Sequence, residues 1–472
     1  EFKRGEVLTV RIVDVAFGGK GVAKIPTEKG DFTVFVMNTV PGQLVQARVD
    51  SCKSRYAECK LDKVLEPAPE EVKNDFQPIP GAPYARLPIE IQLKYKERTA
   101  LDVYRKIGMI ENLDEVYSGL MASPEVWHYR NKMEYSFSAI GFDHAKQEEF
   151  DGFALGFKHR GTWWVVENLD ADSGLFDAEV EGKLKLLREW CEKTGLPAWH
   201  PPKREGFFRF FVVRKSFASN KILINLVTTS DNLDAFNRDE FVQTCLNLWG
   251  DRVQGILHTI NDDRGERVEA REGNSKVVYG ELKIKERIND LDFSISMSSF
   301  FQTNPKSAEK LYDLTVDWAG NTDSEGYLMD LFCGTGTIGQ LLARGTGKDI
   351  VGVDIVQSAI EDARQNAKEN GVENVTFHAA DVGKFLVEYP EYAGKIATIV
   401  LDPPRGGIAP KSLKKIIALD APRIVYVSCN PATQARDILT LREDGYELLD
   451  LKLVDQFPHT SHIEAVALFE KK

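Results

Sequence analysis

The C-terminal part of the chain alternates short apolar runs with helical stretches, and no other feature constrains the fold as strongly. The apolar runs lie at residues 327–331, 350–353, 398–401, 424–428 and 465–469. Runs with almost no polar positions are typical of strands whose two faces are both covered. Between them, residues 358–370 place their apolar side chains on one helical face and stop at Gly371, a usual helix end. The pattern predicts an α/β fold here, with a doubly wound, Rossmann-like domain over residues 291–472.

Residues 1–66 have a different pattern, in which apolar and polar positions alternate in short bursts. The bursts at 7–13, 31–37 and 44–49 are separated by turn signals, including the Gly-rich segment 17–22 and Pro41-Gly42. Period-two runs broken by glycine and proline are typical of strands and tight turns. Because so few strands must close on themselves to hide their edges, we predict a small β-barrel.

Residues 67–290 lie between these two regions and begin with a proline-rich linker that extends to residue 83. A predicted helix at 89–107 and aromatic-rich strands at 133–140, 207–213 and 221–227 indicate a central α+β domain. Its basic residues, among them Arg130 and Lys132, alternate with aromatic ones. Such clusters are compatible with an ordinary solvated face or with RNA binding through stacking and phosphate contacts.

The overall composition excludes several classes of protein. Apolar residues make up 43% and charged residues 28% of the chain, which rules out a disordered or fibrous protein. The net charge of −12 argues against coating of nucleic acid by bulk charge, so any RNA would bind local basic patches. No apolar run approaches the roughly 20 residues that cross a bilayer, and no secretory signal is visible. We therefore expect a cytoplasmic protein with no membrane partner, acting as a monomer.

A Gly-rich loop follows the first strand of the C-terminal domain. Gly334, Gly336 and Gly339 allow the backbone to turn tightly and to approach a nucleotide closely. Asp354 ends the next strand, where a carboxylate can bind a ribose diol. Two further carboxylates follow the third and fourth strands: Asp381 and Asp402. Because ligands of open α/β sheets bind at the carboxyl ends of the strands, the pattern predicts a nucleotide-type site there.

Two cofactors are compatible with this loop, a dinucleotide and S-adenosylmethionine. The Gly-x-Gly-x-x-Gly spacing is shared with dehydrogenases. Asp330 at the start of the loop suits a methionine ammonium better than a pyrophosphate, so S-adenosylmethionine is favoured. Cys333 within the loop is interpreted as a small buried apolar residue.

A thiol and two carboxylates are expected at the same edge of the sheet. Cys429 follows the fifth strand, Pro403 and Pro404 direct Asp402 toward the edge, and Glu464 begins the last strand. With a methyl-sulfonium cofactor, these groups suggest methylation of carbon 5 of a pyrimidine. A thiolate adds to carbon 6, and a base then removes the proton from carbon 5. His459 and His462 have no evident third ligand, so no metal is predicted.

These motifs resemble the RNA uracil-5-methyltransferase family, in particular the members with an N-terminal TRAM barrel of the OB-like type. The matching stretches span nearly the whole chain, at residues 129–134, 301–304, 330–339, 402–405, 428–431 and 462–464. The resemblance implies that Cys429 is the nucleophile and Glu464 the proton acceptor. The candidate cofactor contacts are Gln302, Phe332, Gly334, Thr337, Asp354, Asp381 and Asp402. The candidate RNA contacts are Arg130, Lys132 and Arg405.

One departure concerns an iron–sulfur cluster that many relatives hold on four cysteines. Here the corresponding run contains Lys73, Ile79 and Ala82 instead of cysteine, and the fourth position falls near Leu169. Since thiolates are the required ligands, we predict no iron–sulfur cluster. The helix that follows this run in relatives is recognisable from Gln92 to Lys96.

The resemblance implies that a uridine is flipped out of structured RNA and methylated on carbon 5, with 23S rRNA as the first candidate and tRNA as the second. Two alternatives stay open. One is a cytosine-5 RNA methyltransferase, although such enzymes carry a cysteine after the proline of the fourth-strand motif, where this chain has Arg405. The other is a catalytically silent RNA-binding or ribosome-assembly factor that retains only the fold.

Overall fold

The computed structural model describes residues 2–269 and 274–472. Contacts divide them into two compact units. The first unit comprises the residues up to Pro88 with Val126–Arg287 and Ser294–Ser298, and the second comprises Ile89–Glu125, Ile288–Phe293 and Ser299–Lys472. The three domains predicted at 1–66, 67–290 and 291–472 remain a prediction, but the two units do not follow those boundaries. Among the described residues, every helix is too short or too polar to cross a lipid bilayer.

The N-terminal part of the first unit is the small barrel. Its six strands are β1 (Val7–Arg11), β2 (Asp14–Ala16), β3 (Lys20–Thr27), β4 (Gly30–Met37), β5 (Leu44–Cys52) and β6 (Tyr56–Glu66). They are ordered β1-β5-β6-β4-β3-β2. Alternate side chains of these strands form one apolar core, in which Val34, Val45 and Ala57 are fully buried. The last strand, β6, is not predicted by the sequence pattern.

The chain then contributes a short segment to the second unit. It contains α1 (Ile89–Lys106), α2 (Leu113–Val116) and β7 (Tyr117–Met121). Helix α1 agrees closely with the predicted helix at 89–107, whereas β7 is not predicted.

The remainder of the first unit is a seven-stranded sheet with two helices. In chain order, its elements are β8 (Lys132–Asp143), β9 (Glu148–Lys158), β10 (Val166–Asn168), α3 (Ala178–Lys193), β11 (Phe208–Lys215), β12 (Ile222–Thr228), α4 (Arg238–Trp249), β13 (Val253–Ile260) and β14 (Ser275–Gly280). The strand order is β10-β9-β8-β11-β12-β13-β14. Side chains of both helices and of the sheet share one apolar core that includes Leu184, Phe241 and Phe211. A two-stranded ribbon follows, formed by β15 (Lys283–Ile288) and β16 (Leu291–Ser296).

The second unit is built on an eight-stranded sheet. Its remaining elements are α5 (Pro305–Gly320), β17 (Tyr327–Leu331), α6 (Thr337–Thr346), β18 (Ile350–Asp354), α7 (Gln357–Glu369), β19 (Val375–Ala379), α8 (Phe385–Glu388), β20 (Ile396–Leu401), α9 (Pro410–Ile417), β21 (Arg423–Ser428), α10 (Pro431–Glu443), β22 (Tyr446–Val454) and β23 (Glu464–Lys471). The strand order is β19-β18-β17-β20-β21-β23-β22-β7. Single 3₁₀ turns elsewhere in the chain lie at Leu233–Ala235, Gly250–Arg252, Val382–Lys384 and Pro390–Tyr392.

Five strands of this sheet, β17 to β21, run parallel, and β23 is antiparallel to both of its neighbours. All six residues of β20 are buried, as expected for a strand covered on both faces. The first strand, β17, lies between β18 and β20, so the order of strands reverses at this point. The loops after these three strands therefore meet at the edge where α/β sheets bind their ligands, which we call the carboxyl edge.

Candidate active site

A cavity of about 650 Å³ opens at the carboxyl edge, within the second unit. Its size is in the range of small-molecule sites, roughly 300–1,000 Å³. The residues predicted from the sequence for cofactor binding and catalysis all line it: Gln302, Phe332, Gly334, Thr337, Asp354, Asp381, Asp402, Cys429 and Glu464. Phe332, Asp354, Asp381, Asp402 and Cys429 come together because the parallel strands before them end at the same edge, and Glu464 joins them because the antiparallel β23 begins there.

The Gly-rich loop supplies one wall of the cavity. Gly334 has a φ of +52°, and a Cβ added there meets no atom within 4 Å, so its backbone faces open space. The N–H of Gly334 donates to Asp354 Oδ2 at 2.9 Å, while Asp354 Oδ1 accepts from the N–H of Val356 at 2.9 Å. Asp354 therefore joins the loop to the end of β18. Gly336 is required for close packing, because a Cβ at this position would lie 2.6 Å from the ring of Phe377.

Asp330, the last but one residue of β17, fits the cationic part of the expected S-adenosylmethionine. Its carboxyl is completely buried and has no side-chain hydrogen-bond partner among the described residues. Burial holds the pKa of Asp330 well above its usual value, and the charge of Asp402 acts in the same direction, although the backbone N–H of Gly339 lies near enough to act in the opposite, lowering direction. An ammonium group beside this carboxyl would supply a charged partner and favour the charged carboxylate.

Cys429 lies between the end of β21 and the start of α10, where its thiol lines the cavity. The side chain is half-buried and forms no disulfide. The pKa of Cys429 is raised to about 11, first by burial and then by the charges of Glu464 and Asp402, while the charge of Arg405 acts in the opposite direction. The thiol is therefore protonated at neutral pH until a bound substrate or a nearby base changes its surroundings.

Glu464 is the first residue of β23 and is only 2% exposed. Its pKa is raised to about 8, first by burial and then by the charge of Asp402. Burial also raises the pKa of Asp402 to about 7. With pKa values near neutral pH, each of these two carboxyl groups can accept or release a proton there, as expected of general acids and bases.

The three predicted RNA contacts are not brought together in the cavity. Arg405 lies in the cavity wall, with its Nη2 atom 3.4 Å from His462 Nδ1. Arg130 and Lys132 belong to the first unit, in which Arg130 Nε donates to the carbonyl of Lys132 at 3.2 Å. Lys132 also forms an ion pair with Glu134 at 3.1 Å. The RNA-binding role of Arg130 and Lys132 remains a prediction.

The sequence pattern misses Tyr312, which lies on α5 and lines the cavity. It is 6% exposed, and its pKa is held well above the usual value by burial and then by the nearby carboxyl groups of Asp402 and Glu464. Its spacing with Ala308 and Leu311 on one helical face resembles ordinary core packing. The pattern also misses Phe300, a 73% exposed ring on the cavity wall.

Cys333 also lines the cavity, and burial holds the pKa of its thiol well above the usual value. In the part of the chain that the structure describes, no group of three or more metal-ligating side chains is suitably arranged for a metal ion. Of the four residues at the positions of the iron–sulfur cysteines, Lys73 is exposed, and Ile79, Ala82 and Leu169 are buried in the apolar core of the first unit. These side chains pack against their neighbours and offer no thiolate.

Comparison with known proteins gives consistent matches. A family model of tRNA (uracil-5-)-methyltransferase matches residues 218–472, and a TRAM domain model matches residues 1–61. An uncharacterized RNA methyltransferase of Clostridium acetobutylicum is 38% identical, covering 100% of this chain and 99% of the relative. An uncharacterized RNA methyltransferase of Caldanaerobacter subterraneus subsp. tengcongensis is 35% identical, covering 99% of both chains.

A solved structure is also similar over the whole chain. It is the Pyrococcus abyssi tRNA (uracil-54, C5)-methyltransferase in complex with S-adenosyl-L-homocysteine. The two proteins are 26% identical with a TM-score of 0.68, and the match covers 98% of this chain and 100% of the solved one.

Proposed function

This chain belongs to the tRNA (uracil-5-)-methyltransferase family and is an S-adenosylmethionine-dependent RNA methyltransferase. We propose that it methylates a flipped uridine through a covalent adduct, with Cys429 as the nucleophile and Glu464 as the base. The observation that carries the proposal is that this thiol and this carboxyl line one cavity with the Gly334 loop. The methylated nucleobase is uracil rather than cytosine, and the chain is an enzyme rather than a catalytically silent RNA-binding factor.

Bound S-adenosylmethionine supplies an electrophilic methyl group on a sulfonium sulfur. We assign its binding to the Gly-rich loop and the carboxylates around it. The open backbone at Gly334 allows close approach, and Asp330 is placed to pair with a cationic group. Gln302, Phe332, Thr337, Asp354, Asp381 and Asp402 complete the proposed binding wall.

Cys429 activates the uracil in the proposed mechanism. Its thiol must first lose a proton, which Asp402 in the same cavity can accept and which the charge of Arg405 favours, so that Glu464 stays available for the later step. The Sγ atom then forms a bond to carbon 6, and the electron pair of the carbon 5–carbon 6 double bond moves toward the oxygen on carbon 4. Carbon 5 thereby becomes nucleophilic enough to accept the methyl group.

Glu464 completes the reaction. Once carbon 5 carries both a methyl group and a proton, the carboxylate of Glu464 takes that proton. The electron pair of the broken carbon–hydrogen bond restores the double bond, and the bond between Sγ and carbon 6 breaks, so that Cys429 leaves as a thiolate. The raised pKa of Glu464, about 8, makes it a stronger base than an ordinary carboxylate.

Access to the cavity requires the uridine to leave its stack, because carbon 5 and carbon 6 are covered by neighbouring bases in structured RNA. We therefore include base flipping in the proposal. The barrel and the basic residues of the first unit, Arg130 and Lys132 among them, are assigned to holding the surrounding RNA.

We propose 23S rRNA as the target and tRNA as the second candidate. The choice of rRNA rests on the resemblance to family members with a TRAM barrel. The tRNA (uracil-5-)-methyltransferase family model and the solved tRNA methyltransferase support the second candidate. Mass mapping of 5-methyluridine in rRNA and tRNA from a strain lacking this protein tests both. We expect a methyl group to disappear from 23S rRNA and to return with the wild-type gene but not with a Cys429→Ala gene. Loss confined to tRNA would favour the second candidate, and no loss in either RNA would contradict the proposal.

The decay of the covalent adduct should depend on pH. Because the carboxylate of Glu464 is the active form, decay should speed up as the pH rises from about 6 and level off above about 8, the value to which its pKa is raised. Quenched single-turnover reactions analysed on denaturing gels measure the decay separately from thiol addition. Asp402→Asn, assayed at saturating cofactor, removes one cause of the raised pKa and should shift the inflection to lower pH. A flat profile would contradict the assignment of Glu464 as the base.

A further inference from the structure

Helix α1 directs two buried polar side chains, Gln92 and Lys96, at the turn of residues 455–462 that joins β22 to β23. The two residues lie one helical turn apart and therefore on the same face. Gln92 is 0% and Lys96 2% exposed. Because burial of polar groups is costly unless they are hydrogen-bonded, such a pair points to a specific role for its partners.

Gln92 holds the backbone and the side chain of one residue in the turn. Its Oε1 atom accepts a hydrogen bond from the N–H of His459 at 2.8 Å, and its Nε2 atom lies 3.0 Å from His459 Nδ1. His459 has a φ of +71°, in the left-handed region that non-glycine residues rarely adopt. The two contacts from Gln92 stabilise this uncommon conformation, which sets the path of the chain toward β23.

Lys96 holds the beginning of the same turn. Its Nζ atom donates to Asp455 Oδ1 at 2.8 Å and to the carbonyl of Phe457 at 2.9 Å. The side chains of Lys96 and Asp455 are each 1% exposed. Asp455 Oδ1 also accepts a hydrogen bond from the N–H of Phe457 at 3.2 Å. The buried ion pair therefore fixes three consecutive residues of the turn, 455–457.

The turn leads directly to the groups that line the cavity. His462 lies near its end with Nδ1 3.4 Å from Arg405 Nη2, and Glu464 follows two residues later. Thr460 Oγ1 donates to the carbonyl of Phe457 at 2.8 Å, and the N–H of His462 donates to Thr460 Oγ1 at 3.2 Å. A shift of the turn would therefore be transmitted to Glu464 through a short, internally bonded stretch of chain.

We propose that Gln92 and Lys96 are positioning residues for the proton-transfer step, because they fix the turn that holds the Glu464 carboxyl in the cavity. The inference rests on the proposed role of Glu464 as the base. Neither residue is among those that line the cavity, so neither is assigned a contact with substrate or cofactor. Their effect is expected on decay of the covalent adduct and not on its formation.

The main test is Gln92→Met, which keeps the length of the side chain and removes both hydrogen bonds. We expect adduct decay in single-turnover reactions to slow on the order of 100-fold, the cost of a misplaced catalytic group. Adduct formation and affinity for S-adenosylhomocysteine should stay within about threefold of wild type. Lys94→Met, on the exposed side of the same helix, is the matched control and should leave all three quantities unchanged.

The second test concerns Lys96, whose removal alone would leave the buried charge of Asp455 unpaired and destabilise the fold. Lys96→Met combined with Asp455→Asn removes the ion pair without leaving an unpaired charge, and it should also slow adduct decay selectively. Equal slowing of formation and decay, or loss of cofactor affinity, would show a merely structural role and overturn the inference. Adduct decay at the wild-type rate in both Gln92→Met and the Lys96→Met/Asp455→Asn double variant would also overturn the inference. If wild-type enzyme forms no adduct, or Glu464→Gln does not slow its decay, the proposed function itself fails.

Discussion

Cys429→Ala should lower methyl transfer to RNA by at least ~10⁴-fold, because carbon 5 of an unactivated uracil is too weak a nucleophile to take a methyl group. The substitution removes only a half-buried Sγ atom between β21 and α10, so the fold should be preserved. The Gly334 loop and Asp354 are untouched, and cofactor affinity should stay within about threefold of wild type. Transfer of a labelled methyl group and calorimetric titration with S-adenosylhomocysteine measure the two quantities.

A matched control is available in the same cavity. Cys333 also lines it, carries a free thiol and is not assigned to catalysis. Cys333→Ala should still form the covalent adduct with RNA, whereas Cys429→Ala should form none. An adduct that persists in Cys429→Ala, or unchanged turnover, would remove Cys429 as the nucleophile.

Glu464→Gln should trap the RNA–protein adduct, which would appear as a band of reduced mobility on a denaturing gel. The amide has nearly the shape of the carboxyl but cannot take the proton from carbon 5, so Cys429 cannot leave. Turnover should fall by about 10²–10⁴-fold, the usual contribution of a general base. Because Glu464 is buried and its pKa is already raised to about 8, the neutral amide replaces a group that is largely uncharged at neutral pH.

The mass of the trapped species gives a stricter test, since the adduct should contain one additional methyl group. Glu447→Gln, an exposed residue on β22, is the matched control and should turn over as wild type. Absence of an adduct in Glu464→Gln would indicate another base. Asp402, whose pKa is raised to about 7, would be the next candidate, and Asp402→Asn would then be expected to trap the adduct.

The strands and helices with strong local patterns are predicted accurately. The apolar run at 327–331 coincides with β17, and the helix predicted at 358–370 appears as α7, followed by Gly371 with a φ of +65°. Several strands are missed, among them β6, β7, β9, β13 and β22. Only three residues of β7, Tyr117, Leu120 and Met121, are in register with β22, so this short strand depends on the edge that β22 provides.

The sequence predicts those residues of the site that lie next to the ends of strands. Gly334, Asp354, Cys429 and Glu464 reach one cavity because the strands before or after them end at the same edge. Tyr312 is missed because a tyrosine on the apolar face of a helix has the same pattern whether it packs in a core or lines a cavity.

The sequence by itself determines the alternation of buried strands and helices, the Gly-rich loop and the order in which the thiol and carboxylates follow the strands, because these depend on periodicity and backbone preference over a few residues. Only the tertiary structure decides that α1 packs against the turn before Glu464, bringing Gln92 to His459 across 367 positions of sequence. The raised pKa values of Glu464 and Cys429 are likewise decided there. Burial and the proximity of charges depend on which distant elements pack together, and no local pattern contains that information.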